Sequence, residues 1–209
     1  MFPEFLRKLE LSCALNPKDD VVNRNVLAKR LKMDGHEVST SVNGQEAVDL
    51  IEKYRAFDCI LMVRNMLRGR ETILLIFLSC DMQDIQMPIL DGFGAAQQIR
   101  RIEKACPLPL DAIQPSTDLN GGIPIFAVST SLKESQREYM MAMGMDAWIL
   151  KPIDFKRLSV LMRGVTDVGQ RRSEMYKLGV NWEKGGWMRE AVGTVPALPP
   201  SSGSAGRSV

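Results

Sequence analysis

The chain has 209 residues, of which 45% are hydrophobic and 25% are charged, and its net charge is +2. This is the composition of an ordinary globular domain with tails, and the balanced charge argues against a nucleic-acid-binding protein. A single histidine, His36, excludes a histidine-rich metal centre, and the four cysteines lack metal-ligand spacing. The longest apolar run, Ile73–Cys80, is far shorter than the roughly 20 residues that cross a bilayer. We therefore expect an intracellular protein, cytoplasmic or also nuclear, that binds neither nucleic acid nor membrane.

Strands and helices are predicted to alternate along the chain. The predicted strands are short apolar or β-branched runs bounded by turns; they cover Leu9–Leu15, part of 35–44, Phe57–Met62, Ile123–Ser129 and Asp146–Pro152. The predicted helices carry apolar residues at helical spacing; they cover Val21–Met33, Gln45–Tyr54, Gly92–Ala105, Glu134–Gly144 and Asp154–Val165. Such alternation predicts a parallel sheet with helices on both faces.

The remaining segments suggest the domain boundaries. We expect a leader of uncertain structure at 1–13, a domain at 14–165 that is interrupted by the insertion 63–83 and the loop 106–122, and a largely disordered tail at 166–209. The loop at 106–122 and the tail are assigned from their content of Pro, Gly, Ser and Asp. Trp182 and Trp187 are exceptions in the tail, since they either pack back on the domain or belong to a motif that binds a partner.

Side chains suited to phosphoryl chemistry follow four of the predicted strands. Asp19 and Asp20 follow the first strand, Asp84 follows the third, and Ser129 and Lys151 lie at the ends of the fourth and fifth. Because ligands bind beyond the carboxyl ends of parallel strands, we expect these residues to share one site. Carboxylates bind Mg²⁺ and can accept a phosphoryl group, whose oxygens a hydroxyl and an ammonium can hold. Each feature alone has an ordinary explanation, because acids, for example, are common at helix starts.

The combination of motifs resembles a response-regulator receiver domain, most like the C-terminal receiver of fungal-type hybrid histidine kinases. The resemblance covers about residues 14 to 163 and rests on DDVVNRNVLAKRL, GHEVSTSVNGQEAVDLI, FDCILM, DIQMPILDG, IPIFAVST and GMDAWILKPIDFKRL. It implies a flavodoxin-like, doubly wound, five-stranded parallel sheet of strand order 2-1-3-4-5. It also implies a phosphorelay in which a histidine kinase or histidine phosphotransfer protein donates a phosphoryl group, with Mg²⁺ as cofactor.

Such a domain assists its own phosphorylation and dephosphorylation and is not a kinase by itself. Kinase and DNA-binding motifs do not follow it in this sequence, so we expect a receiver fragment or a stand-alone module of open oligomeric state.

The resemblance also assigns roles to individual residues. It makes Asp84 the phosphoacceptor, Asp19 the metal-binding acid, Gln86 a backbone-carbonyl ligand of the metal, Ser129 the switch hydroxyl, Trp148 the switch aromatic residue and Lys151 the lysine that contacts phosphate. Asp20 is a further candidate metal ligand. We favour Asp84 over Asp81 because the family has Met-Pro three and four residues after the acceptor, as Met87–Pro88 follows Asp84.

Residues 63–83 depart from the family pattern, which runs directly from the third strand into the acceptor. Deleting them joins FDCILM to DIQMPILDG, and the segment starts with Val and ends with Gln, whose codons can carry the splice-site letters GT and AG. We favour an unspliced, in-frame intron over a genuine surface insertion. In the present chain, either FDCILM stays in the sheet, or ILLIFLS replaces it and brings Ser79 or Asp81 toward the acceptor position.

A second departure is Lys18, which stands where the family has its first acid. The alternative function is therefore a receiver-like interaction module that cannot be phosphorylated, because the insertion and Lys18 disrupt its site. A small flavodoxin-like FMN protein is a weaker alternative, since no phosphate-binding loop rich in Ser, Thr and Gly follows the first strand.

Overall fold

The computed structural model describes residues 8–14, 19–64, 90–107, 115–130 and 132–192, and it describes side chains from residue 25 onward, except that of Arg64. The strands are β1 (Lys8–Ala14), β2 (Glu37–Ser41), β3 (Cys59–Arg64), β4 (Ile125–Ser129), β5 (Ala147–Leu150) and β6 (Gly186–Trp187). The α-helices are α1 (Asp19–Met33), α2 (Gly44–Lys53), α3 (Gly92–Ala105), α4 (Pro115–Asn120), α5 (Arg137–Ala142), α6 (Phe155–Arg163) and α7 (Val168–Ser173). Short 3-10 helices cover Glu134–Gln136 and Trp182–Lys184.

The strands form one sheet in the order β2-β1-β3-β4-β5-β6. The first five strands are parallel, and β6 pairs antiparallel with β5. The sheet thus has six strands within the described residues where the sequence predicted five, because the chain returns after α7 to cover the β5 edge. Strand β1 confirms the strand predicted at Leu9–Leu15 to within one residue, so the sheet begins before the domain boundary expected at residue 14.

Strand β3 settles which apolar run is central to the sheet. Cys59–Arg64 pairs with β1 on one side and with β4 on the other. FDCILM therefore stays in the sheet, and the central position is not free for ILLIFLS. The run ILLIFLS, like the rest of 65–89, lies outside the described residues.

Alternating side chains of the strands pack into two hydrophobic layers, one on each face of the sheet. Cys59, Leu61 and Val63 of β3 face a core shared with α1 and α6, whereas Ile60 and Met62 face a core shared with α2, α3 and α5. The period of two follows from strand geometry. Every strand can therefore expose its carboxyl end between the two layers of helices.

A polar cluster fixes the opposite, amino-terminal edge of the sheet. The Arg100 guanidinium contacts Asp146 at 2.6 Å and Glu103 at 2.7 Å, and Asp146 Oδ2 accepts a hydrogen bond from the Ile125 amide at 2.8 Å. The Glu103 carboxylate accepts another from the Ile123 amide at 2.7 Å. These largely buried charges pair with one another and with backbone amides, so the cluster holds α3 to the starts of β4 and β5.

The prediction of a disordered tail from residue 166 is wrong as far as residue 192. This segment, which we call the C-terminal extension (166–192), forms α7, a 3-10 helix and β6, and it buries Trp182 and Trp187. Of the two alternatives for these tryptophans, packing on the domain is the one observed. Residues 193–209 lie outside the described residues.

Candidate functional site

The carboxyl ends of four strands lie side by side at one edge of the sheet. Ala14 of β1 pairs with Arg64 of β3, Arg64 pairs with Ser129 of β4, and Ser129 pairs with Leu150 of β5. This alignment follows from parallel strands of similar length packed in register. Side chains just beyond these four positions are therefore neighbours, which is the arrangement that the sequence analysis expected.

Ser129 and Lys151 meet at this edge. The Lys151 amide donates a hydrogen bond to the Ser129 carbonyl oxygen at 2.9 Å, which extends the β4–β5 ladder by one step. Ser129 is fully buried, whereas Thr130 beside it is exposed and Lys151 is half-buried. The Lys151–Pro152 peptide bond is cis. The backbone thus brings together two of the predicted site residues, one with a hydroxyl and one with an ammonium group.

The two acids of the first strand end belong to the first turn of α1. Strand β1 ends at Ala14 and α1 begins at Asp19, so Asp19 and Asp20 are the first two residues of the helix. Their side chains and residues 15–18, including Lys18, lie outside the description. The start of a helix is also where acids stabilise the helix dipole, so the ordinary explanation of these residues stands beside the functional one.

The end of β3 does not carry the expected carboxylate. Val63 pairs with Cys13 and Val128 there, and its side chain is 1% exposed in the core under α1 and α6. Arg64 follows as the last strand residue. Asp84, Gln86, Asp81 and Ser79 lie outside the described residues, so the edge as described carries the serine and the lysine without the acceptor.

Magnesium, which the family resemblance implies, needs oxygen ligands, and Mg²⁺ sites typically use one or two carboxylates. The described part of the chain holds no cluster of three or more His, Cys, Asp or Glu side chains that could bind a metal. Asp19 and Asp20 supply the right donor type at the carboxyl edge of the sheet, so the residues suit Mg²⁺ if a further carboxylate joins them. The further carboxylate that the sequence analysis expects is Asp84, in the segment 65–89, which lies outside the described residues.

Comparison with known proteins gives no matching protein-family model. The sequence is 30% identical over 160 residues to Probable histidine kinase 6 of Oryza sativa subsp. japonica, a match that covers 75% of this chain and 14% of that protein. It is 28% identical over 138 residues to Two-component system protein A of Emericella nidulans, covering 65% of this chain and 15% of that protein. The chain therefore spans a small part of the length of the curated relatives it matches.

Solved structures share the fold. A chain from the Saccharomyces cerevisiae complex of the histidine phosphotransfer signaling protein Ypd1 with the receiver domain of its downstream response regulator Ssk1 superposes with a TM-score of 0.53. The identity is 20%, and the match covers 87% of this chain and 99% of that one. This chain contains a response-regulator receiver domain. The receiver domain of the sensor histidine kinase PA1611 from Pseudomonas aeruginosa, solved with a magnesium ion in its active site cleft, has a TM-score of 0.49 at 22% identity.

The receiver assignment and the α/β class are thus confirmed. No helix within the described part of this receiver is both long and apolar enough to cross a membrane.

Sequence reasoning missed the surroundings of Trp148 in this receiver. The indole N–H of Trp148 donates to the Trp182 carbonyl oxygen at 2.8 Å, and the two rings stack with centroids 4.6 Å apart. Trp148 is fully buried beneath the C-terminal extension. The only signal in the sequence was the pair Trp182 and Trp187 in a segment of otherwise polar composition. The residues that they contact, such as Trp148 and Leu161, are far away in the sequence.

Proposed function

We propose that this receiver domain accepts a phosphoryl group on Asp84 from a phosphohistidine of a histidine kinase or a histidine phosphotransfer protein. The observation that carries the proposal is the meeting of Ser129 and Lys151 at the carboxyl edge of the sheet, next to the strand that leads toward Asp84. Asp19 begins the helix that follows the neighbouring strand. Homology to histidine kinases over three quarters of the chain supports the same function.

The chemistry required of these residues is limited. An Asp84 carboxylate oxygen attacks phosphorus, the P–N bond of the phosphohistidine breaks, and the imidazole leaves with its electron pair and takes up a proton. The Lys151 ammonium and the Ser129 hydroxyl can hold the phosphoryl oxygens and stabilise the charge spread over them in the transition state. Asp19, Asp84, the Gln86 carbonyl and, as a further candidate, Asp20 are the groups that would bind Mg²⁺, which neutralises oxygen charge when bound.

The experiment is phosphoryl transfer to the purified full-length chain from acetyl phosphate with Mg²⁺ and, separately, from a phosphorylated histidine phosphotransfer protein. We expect the mass of the chain to increase by one phosphoryl group, and alkali or hydroxylamine to remove that group, as for an acyl phosphate. Asp84→Asn should abolish the label, whereas Asp81→Asn should retain it. Label that survives Asp84→Asn but disappears in Asp81→Asn would identify Asp81 as the acceptor. No label on the unsubstituted chain would exclude the function for this chain.

The alternative, an interaction module that is not phosphorylated, has its own supporting observation. Val63 and Arg64 occupy the end of β3, so an apolar side chain is buried at the register where the family resemblance calls for the acceptor. This module would still bind a partner of the phosphorelay without accepting its phosphoryl group. Binding of a histidine phosphotransfer protein with no transfer, under conditions in which that protein phosphorylates a known receiver, would favour this alternative.

A further inference from the structure

The C-terminal extension contacts both hydrophobic layers of the receiver. Trp187 belongs to the core under α1 and α6, and Trp182 belongs to the core under α2, α3 and α5. Strand β6, which contains Trp187, lies on the β5 edge of the sheet. The extension therefore wraps around this edge, with one tryptophan on each face.

The Trp187 side of the extension is a firm anchor. Trp187 is fully buried, its indole N–H donates to the Leu161 carbonyl oxygen at 3.0 Å, and its ring packs edge-on against Phe126 at 4.9 Å. The guanidinium carbon of Arg171 lies 3.7 Å from the centre of the same ring. Removing these contacts would open the core, so this side is not suited to reversible movement.

On the Trp182 side, the Trp182 ring is itself buried in the core, whereas the hydrogen bonds made by Tyr176 and Gly179 lie nearer the surface. We call residues 175–184 the strap. The Tyr176 hydroxyl donates to Glu134 Oε1 at 2.7 Å, and the Gly179 amide donates to the same oxygen at 3.0 Å. The Trp182 indole N–H donates to the Leu132 carbonyl oxygen at 2.9 Å. Both acceptors belong to the stretch that directly follows Ser129, so the strap is bonded to the loop that leaves the candidate site.

The strap is also bonded to the strand that leads to the lysine. Trp148 of β5 donates its indole N–H to the Trp182 carbonyl oxygen and stacks on the Trp182 ring. Two residues after Trp148 the strand ends, and the Lys151 amide donates to the Ser129 carbonyl oxygen. The strap thus joins the two segments that carry Ser129 and Lys151, and a shift in either segment changes its hydrogen bonds.

We propose that the strap regulates the candidate phosphorylation site, an inference that rests on the proposed function. In the closed arrangement it holds Leu132, Glu134 and Trp148 in their present positions. Movement of Ser129 toward a phosphoryl group on Asp84 shifts the stretch that carries Glu134, while Trp182 stays in the core. Phosphorylation therefore favours opening of the Tyr176 and Gly179 hydrogen bonds to Glu134, which we call release of the strap. A chain with a released strap populates the arrangement suited to phosphorylation more often, so its phosphoryl uptake is faster by that increase in population.

The test uses the full-length chain with Tyr176→Phe, Glu134→Gln and the double variant. These changes remove the hydroxyl donor or the acceptor charge and leave the buried tryptophans in place. Tyr139→Phe is the matched control, because it removes the same group from a half-exposed tyrosine on the neighbouring helix α5. Two quantities are measured: hydrogen exchange of the backbone amides in 130–136 and 175–184, and the rate of phosphoryl uptake from acetyl phosphate with Mg²⁺.

We expect each single variant to raise amide exchange in both segments by about threefold, the size typical of one exposed charged hydrogen bond. Uptake should accelerate by a similar factor, and the double variant should exceed the singles by little. Tyr139→Phe should leave both quantities unchanged.

Two results would overturn the inference. The first is faster amide exchange in 175–184 with unchanged exchange in 130–136, which would mean that the strap moves independently of the segment that follows Ser129. The second is uptake at the same rate in the parent chain and in all strap variants. Absence of uptake in every chain, with coupled exchange in both segments, would instead reject the proposed function, while the mechanical link between strap and loop would stand.

Discussion

Trp148 and Trp182 are separated by 34 positions in the sequence, yet their indole rings stack with an interplanar angle of 18°. Tyr176 packs edge-on against both rings, at 6.0 Å from Trp148 and 6.2 Å from Trp182. This aromatic cluster joins the C-terminal extension to the fifth strand of the receiver domain. The extension is therefore part of the folded domain, and its stability is expected to depend on these rings.

Replacing Trp182 should destabilise the whole domain. The side chain is 7% exposed and contacts Trp148, Tyr176 and the Leu132 carbonyl oxygen. Trp182→Ala is expected to lower the free energy of unfolding by about 3–5 kcal/mol, the range for deleting a large buried aromatic side chain. Urea denaturation followed by far-UV circular dichroism measures the change. Trp182→Phe keeps most of the apolar contact and should cost clearly less; an equal cost would show that the indole hydrogen bond matters more than the stacking.

Arg171 should be required as a guanidinium and not merely as a cation. It is 2% exposed, donates from Nε to the Gly164 carbonyl oxygen at 3.0 Å, and hydrogen-bonds to Asn120 Oδ1. Burial lowers its pKa to about 10, because desolvation disfavours the charged form. Arg171→Lys cannot bond to both oxygens and lie flat on Trp187, so it should cost about 2 kcal/mol of unfolding free energy in urea denaturation. A neutral effect would mean that the ring contact contributes nothing.

Gly164 should not tolerate a side chain. A Cβ atom there would lie 2.6 Å from the Trp187 Nε1 atom and 3.1 Å from the Arg171 Cα atom. Gly164→Ala must therefore displace the indole from the Leu161 carbonyl oxygen, and we expect a loss of about 1–3 kcal/mol, as for other overpacked cores. Thermal unfolding measures it, with Gly169→Ala in α7 as the control, since only the Asp167 side chain lies near that position, at 3.3 Å. Equal melting temperatures for the two variants would contradict the packing described for Trp187.

The strap should be most firmly closed at intermediate pH. Hydrogen bonds from Gly179 and Tyr176 lower the pKa of Glu134 below its ordinary 4.5, so their stabilisation is full above 4.5 and is lost as pH falls through the lowered folded pKa. The bond to Glu134 also raises the pKa of Tyr176 above 10.0, so that contribution is full below 10.0 and is lost as pH rises through the raised value. The guanidinium carbon of Arg137 lies 4.6 Å from the Tyr176 ring centre, so Arg137 packs on the same ring.

Amide exchange of 175–184, corrected for its intrinsic pH dependence, measures the opening of the strap. We expect opening to increase at both extremes in the parent chain and the alkaline increase to vanish in Tyr176→Phe. An alkaline increase of the same size in that variant would assign it to another group.

Deleting residues 63–83 should give a better phosphoacceptor. In the shorter chain Asp84 follows Met62 directly and takes the register position of Val63, between Cys13 of β1 and Val128 of β4. An acid at that position lies in line with the carboxyl ends of β1 and β4, so we expect uptake from acetyl phosphate at least about tenfold faster than in the full chain, a difference of roughly 1.4 kcal/mol in the barrier. Equal rates would show that Asp84 already reaches the site in the full chain. Transcript sequencing answers the separate question of which chain the cell makes.

The sequence predicted the parts of the fold that depend on local periodicity. Alternating apolar strands and amphipathic helices predicted each strand of the parallel sheet, and parallel strands in register bring Ser129 next to Lys151 without further information. The prediction of a loop at 106–122 was wrong for Pro115–Asn120, which form α4. The choice between FDCILM and ILLIFLS could not be made locally, because both are continuous apolar runs of strand length. Only the pairing of Cys59–Arg64 with two neighbours decides it.

The extension could not be predicted for a different reason. Trp182 and Trp187 lie among glycines and charged residues with no helical or strand period. Their burial depends on partners such as Leu132, Trp148 and Leu161, which come from earlier parts of the chain. An assignment of disorder from composition counts the polar residues and gives no weight to two large aromatic rings that pack into the hydrophobic cores of the domain.

Because β6 pairs with β5, the two outer edges of the sheet differ in how far their backbone groups are covered. A bare parallel sheet offers unpaired amides and carbonyls along two outer strands, either of which can recruit a strand from another molecule. Here β5 is occupied by Gly186–Trp187, and Arg157 on α6 binds the Lys184 and Gly185 carbonyl oxygens at 2.9 and 2.8 Å beside it. Among the described strands, β2 at Glu37–Ser41 is then the margin at which self-association through sheet extension would begin.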